Sequence, residues 1–155
     1  MFIEPKELTS AIYEYQLNEI TENDPDIVML AISAAVEEMK SYLNPNHQKH
    51  WNDGRSRFDV DAIFGATGAG RNPLVLQMCK TIAVYHITQL SNVDMLHEKV
   101  QERYDRAIDW LEKVAGIGKY AGAPGINPGL PVIEVTEEDA KQPFRYGSRE
   151  KFNHE

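Results

Sequence analysis

The stretch from Pro73 to Leu90, PLVLQMCKTIAVYHITQL, constrains the fold more than any other part of the chain. At about 100° per residue, its apolar side chains cover an arc of roughly 220° around a helix. The polar side is left to Gln77, Lys80, Thr81 and Thr88. A helix with so wide an apolar arc needs other elements around it. The sequence therefore predicts a core helix, capped by Asn72 and enclosed by its neighbours.

Two flanking segments have the narrower apolar stripes of helices that pack on one face. One begins with Asp24 as N-cap and Pro25 at the first helical position, and it runs to about Leu43. The other runs from about Val93 to Ala115 and is followed by the stop signals Gly116 and Gly118. Apolar residues recur at helical spacing in both: Val28, Ile32, Ala35, Val36, Met39, Tyr42 and Leu43, then Leu96, Val100, Tyr104, Ala107, Leu111 and Val114.

A shorter helix is predicted near the beginning of the chain, from about Pro5 to Tyr15. It opens with proline and acidic residues, as helices prefer. Leu8, Ile12 and Tyr15 recur at helical spacing, which predicts that they share one buried face.

The residues from Asn44 to Asn72 are predicted to form a long loop between the second and third helices. Within this loop, residues 58–64 have a β-like pattern, on which Asp59 and Asp61 would alternate as the exposed face of a strand. The predicted fold is all-α: a compact bundle of about four helices over residues 1–118, with residues 44–72 as an inserted loop.

The composition limits the classes of function. A length of 155 residues fits a single domain with one core. The net charge of -8 argues against binding of duplex DNA through a general positive field. The longest apolar stretch, Ile27 to Ile32, is far shorter than the roughly 18 residues of a membrane span, so we expect a soluble, unsecreted protein with no membrane association. A single cysteine, Cys79, excludes an internal disulfide.

The run FGATGAGRNP, from Phe64 to Pro73, resembles the glycine fingerprint of a nucleotide-binding strand-turn-helix. That motif needs a second strand, ending in an acidic residue, about 20 residues later. Residues 84–91 instead continue the predicted core helix. A Walker lysine is also missing, because Arg71 and Asn72 follow the last glycine. The sequence favours a structural turn, and no cofactor is expected.

Signals for catalysis and metal binding are weak. Cys79 and His86 are separated by roughly 10 Å of helical rise, beyond hydrogen-bond reach, so no catalytic residues are predicted. Cys79 is expected in the core, and His86 in the core or at an interface. His47 and His50 in the predicted loop are candidate metal ligands, since imidazole suits zinc, but no third ligand is fixed.

The chain changes character after Tyr120. Residues 119–155 hold four of the eight prolines and cannot build an independent core, which predicts an extended C-terminal arm. The arm still carries apolar, aromatic and arginine side chains of the kinds enriched at interfaces. Its β-like run from Val132 to Val135 could add as a strand to a neighbouring subunit. The candidate interface residues are Val132, Ile133, Val135, Phe144, Tyr146, Arg149 and Phe152.

Several of these segments together resemble the Mu-like phage head-tail connector family, in the version found in Bacteroidetes prophages. The segments are EEMKSYLNP, NPLVLQMCKTIAVYHI and ERYDRAIDWLEKVAGIGK, with YGS near the end of the arm. The most specific one is Arg103-Tyr104 followed by Ala107, Trp110-Leu111 and a glycine after the helix. The resemblance covers residues 5 to 118, approximately.

The resemblance implies a small all-α structural virion protein, similar to adaptors that assemble as a ring beneath the portal and complete the head before the tail joins. Its implied partners are further copies of itself, the portal and tail proteins. DNA would pass through the ring without specific binding. The implied location is the virion, and the bacterial cytoplasm during assembly. No catalytic residue comes with the resemblance.

A second hypothesis rests on the residues alone. A small soluble helical protein could bind a metal or a small ligand through the loop of residues 44–72, with His47 and His50 as the candidate ligands. Portal, capsid and tail genes beside the gene for this chain would favour the connector hypothesis over this one.

Overall fold

The computed structural model describes residues 1–44, 55–90 and 97–134. Within them lie five α-helices: α1, Glu14–Thr21; α2, Pro25–Leu43; α3, Val60–Gly65; α4, Pro73–Leu90; and α5, His97–Ala115. Short 3-10 turns cover Pro5–Ser10, Gly68–Gly70 and Gly118–Tyr120. In these residues the only β pairing is an isolated antiparallel bridge between Phe58 and Val132. The predicted all-α fold class is confirmed.

Helix α4 is the core helix, and it packs most extensively against α2 and next against α5. Its fully buried side chains are Val75, Cys79, Ile82, Ala83 and Ile87. Asn72 caps it as expected, since Asn72 Oδ1 accepts hydrogen bonds from the N–H groups of Leu74 and Val75, at 2.9 and 3.2 Å. The core helix and its N-cap are confirmed.

The polar side of α4 is narrower than predicted. Lys80 and Thr88 were expected to face solvent, but only 8% of Lys80 and 6% of Thr88 is exposed. Lys80 Nζ donates to Ser10 Oγ at 3.2 Å, because the 3-10 turn Pro5–Ser10 lies against this side of the helix. The prediction that Lys80 and Thr88 face solvent is therefore wrong. For Lys80 the reason is that the periodicity of α4 contains no information about the neighbouring turn.

Helices α2 and α5 bury most of the stripes that their sequences predict, but Val36, Tyr42 and Tyr104 are only partly buried and Leu96 lies outside the described residues. Asp24 caps α2, with Oδ1 accepting from the N–H of Asp26 at 2.9 Å. Helix α5 ends at Ala115, directly before the predicted stop Gly116, where a left-handed φ of 67° favours glycine. A Cβ atom at this position would also lie 2.7 Å from the carbonyl oxygen of Ala123. The buried residues include Val28, Ala31, Ile32, Ala35, Met39 and Leu43 of α2, and Val100, Ala107, Leu111 and Val114 of α5.

The predicted helix from Pro5 to Tyr15 is wrong in its extent. Residues 5–10 form a 3-10 turn, and α1 is a separate helix that begins at Glu14. Tyr13 stands between them in an extended conformation, which resets the helical phase. Tyr15 is consequently 65% exposed and stacks on the ring of Tyr13, whereas Leu8 and Ile12 are buried as expected.

The β-like run predicted over residues 58–64 is also wrong beyond Phe58. Asp59 is the N-cap of α3, and its Oδ1 accepts from the N–H of Ala62 at 2.9 Å. Ile63 and Phe64 are adjacent in sequence and both buried, which an alternating strand does not allow. Asp59 therefore caps a helix and does not form an exposed strand face with Asp61.

Residues 121–134 follow α5 without forming a helix of their own. Leu130 is buried in the core, and Val132 pairs with Phe58. Two backbone hydrogen bonds support this pairing: Asp59 N–H to the oxygen of Pro131, at 2.9 Å, and Ile133 N–H to the oxygen of Arg57, at 2.7 Å. The boundary predicted after residue 118 remains a prediction, but residues 130–133 contact the rest of the chain.

The enclosure of α4 can be tested by comparing two aliphatic truncations. Ile82→Ala removes buried carbon atoms from the middle of α4 and should lower the free energy of unfolding by about 2–5 kcal/mol. Leu30→Ala is the matched control, because Leu30 of α2 is 62% exposed, and it should change that free energy by about 0.5 kcal/mol or less. Urea unfolding followed by circular dichroism measures both, and equal losses would contradict a central α4.

Candidate functional site

The glycine-rich run forms a turn that Arg71 holds in place. Gly68–Gly70 is a 3-10 turn, and the Arg71 guanidinium donates to the carbonyl oxygens of Gly68 and Phe2, at 3.1 and 2.7 Å. The same guanidinium forms a bidentate pair with the Glu7 carboxylate, at 2.8 and 2.6 Å. The turn thereby joins the N-terminal segment to the start of α4.

The surroundings of this turn differ from those of a nucleotide site. A phosphate would bind the free N–H groups at the start of α4, but Asn72 already accepts hydrogen bonds from two of them. The element before the glycines is the short helix α3 instead of a strand. Arg71, the cation beside the turn, is paired with Glu7. These contacts support the structural interpretation of the glycine run.

The pair between Glu7 and Arg71 favours the ionised form of the Glu7 carboxyl. Hydrogen bonds from Arg71, and then from the backbone N–H of Glu4, lower the pKa of Glu7 from 4.5 to about 2. Because the pKa is lower in the folded state, the pair stabilises the fold above about pH 4.5, and this contribution is lost as the pH falls towards 2.

Glu38 connects the three long helices. Its Oε2 atom lies 2.7 Å from Nε2 of His86 in α4, and its Oε1 atom accepts a hydrogen bond of 2.5 Å from the hydroxyl of Tyr104 in α5. The Tyr104 ring stacks on Tyr85, with ring centroids 3.8 Å apart. Burial, and then the bond to Glu38, raises the pKa of Tyr104 well above its usual value, so the phenol stays protonated and donates a hydrogen bond to Glu38.

Cys79 and His86 do not form a catalytic pair. Cys79 is fully buried, as predicted, and burial raises the pKa of its thiol to about 12, which leaves almost no thiolate at neutral pH. His86 is half-buried and contacts Glu38. That the protein is not an enzyme remains a prediction.

The candidate metal ligands His47 and His50 lie outside the described residues. In residues 1–44, 55–90 and 97–134, no group of three or more His, Cys, Asp or Glu side chains is placed to hold a metal ion. The hypothesis of a metal or small-ligand site in the 44–72 loop is therefore untested.

The candidate interface residues of the arm are described only in part. Val132 and Ile133 are 46% and 42% exposed, although their backbones pair with the segment around Phe58. The remaining candidates lie outside the described residues: Val135, Phe144, Tyr146, Arg149 and Phe152.

Sequence reasoning missed a surface groove between the 3-10 turn Pro5–Ser10, α4 and α5. It has a volume of about 370 Å³ and continues into a second depression of about 390 Å³ that shares five of its lining residues. Its apolar lining includes Ala11, Val84 and Val100, together with Ile12 and Met78, and its charged lining residues are Lys99, Arg103 and Arg106. We call this surface the basic groove. The spacing of its three cations, i, i+4 and i+7, is a sequence signal that could have revealed it.

Comparisons of the chain with protein-family models, curated proteins and solved structures find no match. The relationship to phage connectors accordingly remains a resemblance. Among the helices that the structure describes, none is long and apolar enough to cross a lipid bilayer.

The role of the Glu7–Arg71 pair predicts a pH-dependent loss of stability. Glu7→Gln should lower the free energy of unfolding by about 1–2 kcal/mol at pH 7, less than the pKa shift alone implies, because Glu7 is 26% exposed and solvent screens the pair. The difference from the unsubstituted chain should shrink below about pH 4.5.

Glu37→Gln is the matched control for this prediction, since it breaks only the exposed pair between Glu37 and Lys40 on α2. Its effect should stay at about 0.5 kcal/mol or less at any pH. Urea unfolding at pH 7 and at lower pH measures both variants. A Glu7→Gln effect that is independent of pH would refute the proposed charge interaction.

Proposed function

We propose that the protein is a structural subunit of a phage head-tail connector, which assembles as a ring beneath the portal and completes the head before the tail joins. In this proposal its partners are other copies of the same chain, the portal and a tail protein. DNA passes through the ring without sequence-specific contacts.

The contact between Glu38 and Tyr104 carries the proposal. Both residues belong to the sequence segments on which the resemblance rests, EEMKSYLNP and ERYDRAIDWLEKVAGIGK, and their hydrogen bond joins α2 to α5. Ala107 and Leu111 of the same motif are fully buried, and Gly116 ends the helix with a left-handed φ. The residues that resemble the connector family are thus the ones that determine how the helices pack.

The segment that follows α5 gives further support. A connector subunit has to keep its shape while it contacts several neighbours at once. Here a packed helical core is followed by residues 121–134, which leave Ile126, Val132 and Ile133 exposed. Exposed apolar side chains on a non-helical segment suit contacts between subunits.

The proposal is tested by deleting the gene from an inducible prophage. Electron microscopy of the induced lysate should show heads and tails that are separate, and a wild-type copy supplied in trans should restore joined particles. A normal yield of tailed, infectious particles without the gene would refute the connector role.

Two truncations separate the folding of the chain from its assembly. A chain that ends at Glu134 keeps all the contacts described above, so we expect an unchanged unfolding midpoint but no joining of heads to tails. A chain that ends at Tyr120 also loses Leu130 and the partner of Phe58, so it should be less stable by about 2 kcal/mol or more. Thermal and urea unfolding measure stability, and complementation of the deletion measures assembly. Full complementation by the chain ending at Glu134 would show that the rest of the arm is dispensable.

A further inference from the structure

The basic groove combines the features of a peptide-binding surface. Its lining includes the apolar residues Ala11, Val84 and Val100 and the side chains of Lys99, Arg103 and Arg106. Tyr13, which is 69% exposed, lines its second part. Tyrosine and arginine around an apolar depression are the residue types that contribute most to binding energy at protein interfaces.

In the described part of the chain, the side chains of the three groove cations do not stabilise the fold through polar contacts. None of them forms a hydrogen bond or an ion pair with another described residue, although Arg71 and Lys119 both pair with carboxylates. The groove-lining residues include no Asp or Glu. In a chain with a net charge of -8, a groove whose charged lining residues are all cations marks a site for a negatively charged partner.

We propose that this partner is the acidic segment Glu134 to Asp139 in the arm of a second copy of the chain. The segment, EVTEED, carries four carboxylates within six residues, together with Val135. Its carboxylates complement Lys99, Arg103 and Arg106, and Val135 suits the apolar lining. The inference deepens the proposed connector function and rests on its self-assembly, because it identifies the surface that receives the arm of a neighbouring subunit.

The position at which the arm leaves the core favours a second copy over the same one. Ile133 lies in a cleft with Glu37, Lys40 and Ser41 of α2, and this cleft shares no residue with the basic groove. The groove is formed by α4, α5 and residues 9–16, and none of its lining residues belongs to α2. Six extended residues reach about 20 Å at most, which is less than the diameter of a small domain.

A peptide-binding experiment tests the groove. A fluorescent peptide of residues 134–141, EVTEEDAK, is titrated with the purified full-length chain at low salt, and its anisotropy is recorded. We expect saturable binding that Arg103→Glu weakens by roughly tenfold and that added salt also weakens. Lys113→Glu is the matched control, because it is an exposed α5 position outside the groove with the same change in charge, and it should leave binding unchanged.

Charge reversal in the peptide completes this test. A peptide with Glu137→Lys and Glu138→Lys should not bind the unsubstituted chain, but it should bind a chain with Arg103→Glu and Arg106→Glu. Absence of binding by the unsubstituted peptide, or equal losses with Arg103→Glu and Lys113→Glu, would overturn the proposal. A DNA duplex that displaces the fluorescent peptide at a lower concentration than the unlabelled peptide does would also overturn the proposal, in favour of a nucleic-acid site.

Cross-linking distinguishes a second copy from the same copy. One full-length chain carries Thr81→Cys in the groove and another carries Thr136→Cys in the arm, and the two are mixed with a short thiol cross-linker. We expect linked dimers in the mixture, whereas the buried Cys79 of the unsubstituted chain should not react. A third chain carries both substitutions. Cross-linking within this chain, without linked dimers in the mixture of the two single variants, would overturn the assignment to a second copy.

These tests can fail independently of the proposed function. They use the purified chain alone, so absence of peptide binding and of cross-linking leaves the connector role standing. A confirmed groove contact combined with normal particles after gene deletion would instead remove the connector role and leave the self-association.

Discussion

The enclosure of α4 is the constraint on which the rest of the structure depends. Its apolar arc is too wide for one neighbour to cover, so α2, α5 and the N-terminal segment each bury a different part of it. Even Lys80 is covered, with its ammonium group hydrogen-bonded to Ser10. The arrangement of the long helices around α4 follows from this requirement, because α2 and α5 have one apolar face each and bury it against the same helix.

Apolar burial alone would not determine how α2 and α5 are oriented around α4. The Glu38 carboxylate supplies that specificity, since it accepts from Tyr104 and contacts His86, and rotation of any of the three helices would break a contact. Its side chain remains 20% exposed, so the carboxylate is incompletely desolvated and the cost of its burial is moderate. The packing of this bundle is therefore specified by a polar contact at the edge of an apolar core.

The sequence predicted the elements whose signals are local. The N-caps Asp24 and Asn72 and the stop at Gly116 give α2, α4 and the end of α5, because caps and glycines act on the adjacent backbone. The sequence-based prediction failed where the structure depends on a neighbouring segment or on an element of only a few residues. Tyr13 interrupts the predicted first helix, and the six residues of α3 are too few for periodicity to separate helix from strand. The basic groove was missed because it is assembled from three separate segments, and most candidate interface residues of the arm lie outside the described residues.

The distribution of charge along this chain says more about its contacts than the net charge does. A net charge of -8 argues against a general attraction to DNA, yet the same chain has an acidic run at residues 134–139 and a groove lined by Lys99, Arg103 and Arg106. Opposite charges on separate segments of one chain favour head-to-tail contact between copies, and a heterologous contact of this kind closes into a ring when its rotation allows. Such a contact also disfavours wrong registers, because a displaced arm would place its carboxylates against the acidic remainder of the surface. Charge segregation thus provides a physical route from a single helical bundle to the ring that the connector hypothesis requires.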